Sequence, residues 1–197
     1  HEGNVRAGDG AVYTAMANAA LTTTNALYDQ MKGYLDITEF IDNMLLHFYI
    51  GHQDWGNVKN WYAIRRRAST LNPTQGKYMY IPWDDECTLL ESNVNRVSNT
   101  DVPTGLHTKL INHPQYRLDF ADRVQKHLIA PNGVLTSPAM VARFQKWQAV
   151  MDKAIVGESC RWGDYRRDVH NYQEGAYVIY TRENQWLAEW TRLTGTY

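Results

Sequence analysis

Over the first third of the chain, apolar residues recur at helical spacing. The Ala-, Leu- and Met-rich run from Ala11 to Met31 predicts a helix. An interruption is expected at Thr22-Thr23-Thr24, because three consecutive β-branched residues lower helix propensity. A second helix is clearer: Asp36 stands at an N-cap with Glu39 three positions on, as in a capping box. Phe40, Met44, Leu45 and Phe48 share its apolar face until Gly51 ends it. From Asn60 to Arg67 the period changes to two, with Trp61, Ala63 and Arg65 on one side and Tyr62 and Ile64 on the other. The turn-forming stretch Asn72-Pro73-Thr74-Gln75-Gly76 then leads to an aromatic run from Lys77 to Trp83, so the two runs read as a hairpin.

Residues 87–112 are polar and read as a long loop or lid. Helical spacing resumes after His113-Pro114 with Tyr116, Phe120, Val124 and Leu128. It resumes again after Ser137-Pro138, read as N-cap and first helical residue, with Val141, Phe144, Trp147, Val150, Met151 and Ile155. Asn184 to Leu193 forms a short amphipathic helix carrying Trp186, Leu187 and Trp190. No repeat or low-complexity run interrupts this order. The expected class is α+β, mostly helical, with one short β-hairpin, in a single domain over 1–197.

Composition narrows the function. Of 197 residues, 20 are Lys or Arg and 21 Asp or Glu, a formal net charge of -1 that removes the electrostatic argument for nucleic acid. A hydrophobic share of 44%, with 7 Trp and 13 Tyr, suffices for a sizeable core. The longest apolar stretches, such as Met44 to Ile50, fall far short of the roughly 20 residues of a membrane span. The first residues carry no signal-peptide pattern, and a chain starting at His reads as processed or truncated. Cys87 and Cys160 either form one disulfide or remain buried thiols.

The chemistry gathers at the two ends of the hairpin. Before it lies His52-Gln53-Asp54-Trp55-Gly56-Asn57-Val58-Lys59-Asn60, and after it Trp83-Asp84-Asp85-Glu86. A carboxylate to meet a hydroxyl proton, with oxygen ligands to hold a divalent cation, is what phosphoryl transfer needs. The order His-x-Asp, Asn, strand, Asp also follows the catalytic loop and metal triplet of protein kinases. Plainer readings stand beside this one. Asp54 before Trp-Gly is also a turn residue, and Asp84-Asp85-Glu86 also reads as a solvated acidic turn. His47 and His52 lack metal-site spacing, and without a Cys/His cluster zinc has no support. Arg65-Arg66-Arg67 reads as a solvated strand edge, Arg161-Trp162-Gly163-Asp164 as a Trp-anchored loop, and Ser159-Cys160 has no identifiable base.

Longer motifs carry a resemblance. Asp36-Ile37-Thr38-Glu39-Phe40-Ile41-Asp42, Asp54-Trp55 with Asn60-Trp61-Tyr62, and Lys77 to Glu86 resemble the CotH kinase family, atypical kinases similar to spore coat protein H. Asn112 to Arg117, Phe120 to Val124 and Gly157-Glu158-Ser159-Cys160-Arg161-Trp162-Gly163-Asp164 continue it, so the likeness runs from about Tyr28 to Trp190. It implies a protein-kinase-like C-terminal lobe that moves the γ-phosphoryl group of ATP to a Ser or Thr hydroxyl of a protein, with Mg²⁺ or Mn²⁺. On that likeness Asp54 takes the catalytic position, and Asn60 and Asp84 hold metal and nucleotide, with Asn57 a substitute for Asn60. Glu86 stands where the family's second metal acid is usually Asp. Asp164 is structural. The resemblance further implies a nucleotide-covering lobe upstream, inactivity of this part alone, and a secreted or cell-surface location like that of many members. The alternative is a non-catalytic, pseudokinase-like surface or adhesion module in which the same acids bind a structural cation or a protein partner.

Overall fold

The structure is a computed structural model that describes residues 7, 10–19, 25–56, 59–74, 76–101, 103–163 and 180–196. It is α+β and mostly helical, with one two-stranded antiparallel sheet among the described residues. Contacts divide the chain into two compact units, His1–Ile129 and Ala130–Tyr197.

The first unit is built on α3 (Ile37–Tyr49), which follows α1 (Ala11–Ala19) and α2 (Asn25–Tyr34). The first helical run is described as α1 and α2, and the interruption expected at Thr22-Thr23-Thr24 lies outside the described residues. Asp36 caps α3 by accepting from the Glu39 backbone N–H at 3.1 Å. The reciprocal half of the expected capping box is not made. The Glu39 carboxylate turns instead to the backbone N–H of Tyr80, and the Asp36 N–H donates to Tyr78 O at 3.0 Å. A sheet edge beside the first turn thus competes for the same groups and wins. At its other end α3 closes with paired reverse bonds, from Gly51 N–H to Phe48 O and from His52 N–H to His47 O, both 3.3 Å. Gly51 takes a φ of 56°, the left-handed conformation this helix ending requires.

The hairpin pairs β1 (Trp61–Ile64) with β2 (Met79–Pro82) in the register Trp61 to Pro82 and Ala63 to Tyr80. Trp61 and Ala63 pack on the core with fully buried Tyr80, whose ring lies 5.1 Å from Phe40. Met16, Met31, Leu35, Ile41 and Met44 belong to this core. From α1, the Tyr13 hydroxyl meets the Tyr80 hydroxyl at 2.8 Å. Alternation leaves Ile64, Met79 and Ile81 exposed on the hairpin's outer side.

The stretch read as a long loop contains a helix, α4 (Thr104–Leu110), which buries Leu106, His107 and Leu110. One apolar pair at i, i+4 in a polar setting was too weak a period to show it. Gly105 lets α4 approach its own lead-in, since a Cβ there would lie 2.5 Å from Thr100 O. Next comes α5 (Pro114–Val124), running into a wider π turn over Gln125–Ile129. Arg123 on α5 grips Asp42 on α3, with Nε donating to Oδ1 at 2.6 Å.

In the second unit α6 (Ser137–Met151) begins one residue earlier in capping terms than expected, with Thr136 at the N-cap position. The expected continuation to Ile155 is broken at Asp152, and Ile155 belongs to α7 (Ala154–Trp162). A π turn over Arg182–Trp186 leads into α8 (Leu187–Thr196). Arg182 Nη2 bonds Asp152 at 2.6 Å, and Trp190 meets Phe144 edge-on at 5.5 Å. Cys87 and Cys160 are free thiols, Cys160 exposed and Cys87 half-buried, so they neither pair nor sit in the core. No helix among the described residues is long and apolar enough to cross a membrane.

Candidate functional site

The closed end of α3 delivers the chain into residues 52–56, and β2 delivers it into residues 83–87. A backbone bond from Gln53 N–H to Cys87 O at 2.9 Å stitches these segments together, and one from Leu89 N–H to Ile50 O at 2.7 Å joins the residues that flank them. The loop after β2 braces the first segment, with Arg96 Nη2 donating to Trp55 O at 3.0 Å.

Asp54 and Asn60 come together at the start of β1. Asn60 is buried with a φ of 62°, a left-handed conformation that asparagine tolerates better than most residues. Its amide donates to Asp54 O at 2.6 Å and to Asp54 Oδ2 at 3.1 Å. The Lys59 ammonium bonds the other Asp54 oxygen, Oδ1. That bond is the main reason the Asp54 carboxyl lies below its ordinary range, with the Asn60 amide adding to it, and Lys59 is raised in turn. Asp54 is thereby held as an anion with a preset direction.

Asp84 also takes a left-handed backbone, φ 60°, which turns the chain sharply as it leaves β2. Its charge acts on both Lys59 and Cys87. Donor atoms of Asp54, Glu86 and Cys87 lie within 4.8 Å of one another. Glu86 is therefore beside Asp54, while Asp84 stands outside this tightest set. The Cys87 thiol is pushed up, first by burial and then by Glu86, Asp54 and Asp84 around it. Carboxylates with an amide oxygen are hard donors that fit Mg²⁺ or Mn²⁺, and the protonated thiol at their edge is the softer exception. Asn57 and Asp164 lie outside the described residues.

Three residues given no chemical role by sequence reasoning lie directly behind these acids. His47 and His52 are fully buried, and Asp85 Oδ1 sits 3.6 Å and 3.0 Å from their Nε2 atoms. Burial works to raise the Asp85 carboxyl, but the two imidazoles outweigh it and hold it well below its usual range. The one signal available was a histidine on the apolar face of α3, which demands a polar partner once buried. Nothing local says that the partner is the middle acid of Asp84-Asp85-Glu86.

The family model described as CotH kinase protein matches residues 3–195, nearly the whole chain. No match was found among curated proteins or among solved structures. The motifs that flank the hairpin, and the match that runs through them from end to end, make this chain a member of the CotH kinase family.

Proposed function

We propose that this chain forms the catalytic part of an atypical protein kinase that transfers the γ-phosphoryl group of ATP to a Ser or Thr hydroxyl of a protein. The observation that carries the reading is the Asp54–Asn60 junction, in which a strained, buried asparagine spends its amide on orienting an exposed-side carboxylate. Left-handed backbone at a non-glycine residue costs on the order of 1–2 kcal/mol, and such strain gathers at functional sites.

In this reading Asp54 receives and orients the attacking hydroxyl. Its lowered affinity for protons suits an orienting anion better than a strong base, so proton uptake follows once charge develops on the acceptor oxygen. Lys59, which bonds the same carboxylate, would turn to a phosphoryl oxygen. Asn60 through Oδ1, Asp84 and Glu86 would hold Mg²⁺ or Mn²⁺, which when bound neutralises charge on the phosphate oxygens. The outer side of the hairpin, with Tyr62 edge-on to Trp83 at 5.2 Å and Ile81 exposed, offers an apolar platform for the purine. The whole set belongs to the first unit. A nucleotide-covering lobe contributed by other residues, and a secreted or cell-surface setting, belong to the same proposal and rest on family membership.

The test is phosphate incorporation from radiolabelled ATP with Mg²⁺ or Mn²⁺ across a panel of protein acceptors. The chain, a version extended upstream, and Asp84→Ala in each are compared. Incorporation that disappears with Asp84→Ala supports the reading. None from any folded version across the panel overturns it.

A further inference from the structure

The cluster behind the acids has a geometry that its neighbours explain. The reverse bonds that end α3 bring His52 back over His47, and the two ring centroids lie 5.7 Å apart with neither side chain exposed. His47 is fixed on its own helix by Nδ1 against Asn43 O at 2.8 Å. Its ring stacks on Trp55 at 4.1 Å with an interplanar angle of 14°. Asp85 then reaches both imidazoles from the segment after β2. These approaches are close contacts rather than aligned hydrogen bonds, since His47 Nε2, His52 Nε2 and Asp85 Oδ1 make none.

The Asp85 carboxylate is only half-buried, but its Oδ1 is out of water without a hydrogen bond and is spent on the two imidazoles. Such an oxygen is a costly way to fill space, where an apolar group would pack at least as well. What the charge adds is direction. Asp85 is flanked by Asp84 and Glu86, His52 precedes Asp54 by two residues, and Trp55 follows it. With Asp85 Oδ1 drawn to the imidazoles, its neighbour Glu86 is the one that meets Asp54. A metal cage is the weaker account of the cluster itself. Among the described residues, the set of three acidic, thiol or imidazole donors close enough to share an ion is Asp54, Glu86 and Cys87.

We infer that Asp85, His47 and His52 form a positioning unit: the Asp85 carboxylate, held between two imidazoles, locks the 84–86 turn against the 52–55 loop so that Asp84 and Glu86 face Asp54. The inference rests on the proposed phosphoryl transfer and specifies what holds its metal-facing acids in place. None of the three residues touches substrate.

The test is calorimetric titration of the full chain with Mn²⁺ alone, beside thermal melts, for wild type, Asp85→Asn, Asp85→Glu and Tyr116→Phe. Outer partners that orient metal ligands change affinity by roughly tenfold or more, so Asp85→Asn is expected to weaken Mn²⁺ binding by about that factor. Asp85→Glu, which keeps the charge, recovers part of the loss. Tyr116→Phe removes a buried hydrogen bond elsewhere in the same unit, lowers the melting temperature, and keeps wild-type Mn²⁺ affinity, so general loosening is separated from positioning. Folded Asp85→Asn that binds Mn²⁺ as wild type does overturns the inference and leaves the kinase reading standing. If Asp85→Asn does not fold, His52→Gln decides in the same way. Wild type that takes up no Mn²⁺ overturns the metal reading, and the inference with it.

Discussion

Glu39 on α3 accepts a hydrogen bond from the backbone N–H of Tyr80 on β2 at 2.9 Å, so a helix side chain closes a sheet edge that has no neighbouring strand among the described residues. Burial pushes the Glu39 carboxyl up to about 7, the Tyr80 bond opposes that, and Asp36 and Asp42 add to it. The folded chain therefore holds a proton on Glu39 that the unfolded chain has lost. Stability from this group is full below about pH 4.5 and declines as pH rises through 7. Glu39→Gln keeps an oxygen for Tyr80 and abolishes the slope. The variant should match wild type near pH 4 and exceed it at pH 8 by about 1 kcal/mol, allowing for screening of a half-exposed group. Urea unfolding at the two pH values measures this, and a variant weaker than wild type at pH 8 would show that the charged bond outweighs the repulsion.

The opposite slope belongs to His107. Burial pulls it down to about 4, and its Nδ1 pairs with the Tyr116 hydroxyl at 2.8 Å. A histidine lowered from 6.5 contributes stability that is complete above pH 6.5 and is lost as pH falls through 4. The loss should approach about 3 kcal/mol, one pKa unit being about 1.4 kcal/mol. It is read most cleanly in the Glu39→Gln background. Tyr116→Phe should cost about 1–3 kcal/mol at pH 7, because the imidazole loses its buried partner.

Asn60 separates backbone from chemistry. Asn60→Gly accepts the left-handed conformation and Asn60→Ala does not, so in denaturant Gly should be the more stable of the two by about 1 kcal/mol. Both remove the amide that fixes Asp54, and both should weaken Mn²⁺ binding. Equal stability of the two variants would mean that the backbone relaxes away from its left-handed form.

Cys87 reports on the acids beside it. At pH 7.5 iodoacetamide should modify exposed Cys160 before Cys87, whose thiol is half-buried and pushed up by burial and by Glu86, Asp54 and Asp84. Mn²⁺ held between Asp54 and Glu86 covers this thiol, so it should slow labelling at Cys87 and leave Cys160 unaffected. Peptide mass mapping follows both rates, and equal slowing at the two cysteines would point to chelation of nothing specific.

Much of the first unit was legible because its signals are local. The apolar stripe Phe40, Met44, Leu45, Phe48 and the stop at Gly51 fixed α3, and the turn at 72–76 between alternating runs fixed the hairpin. Where reasoning missed, a distant group had claimed a side chain or too few apolar residues marked the period. Glu39 left its capping box for Tyr80, and α4 showed only Leu106 and Leu110. The positions of Asp54 and Asn60 at one end of the hairpin were visible in their spacing. The meeting of His47 and His52 with Asp85 was not, since Asp85 lies 33 residues beyond the nearer histidine. A pattern of neighbours carries no record of such a meeting until the helix ending folds.

The two anchored ends of α3 make that helix a ruler. Asp36 ties one end to the strand side, and the Gly51 reversal ties the other to the acids. An inserted residue within α3 would rotate everything beyond it by about 100° and advance it by about 1.5 Å. Either Glu39 would lose Tyr80 or His47 would lose Asp85, because no slack in the 13 residues of Ile37–Tyr49 can satisfy both. The length of this helix is therefore fixed by geometry at its two ends, and length variation in homologous chains should fall in the loops between β1 and β2 and after β2 instead.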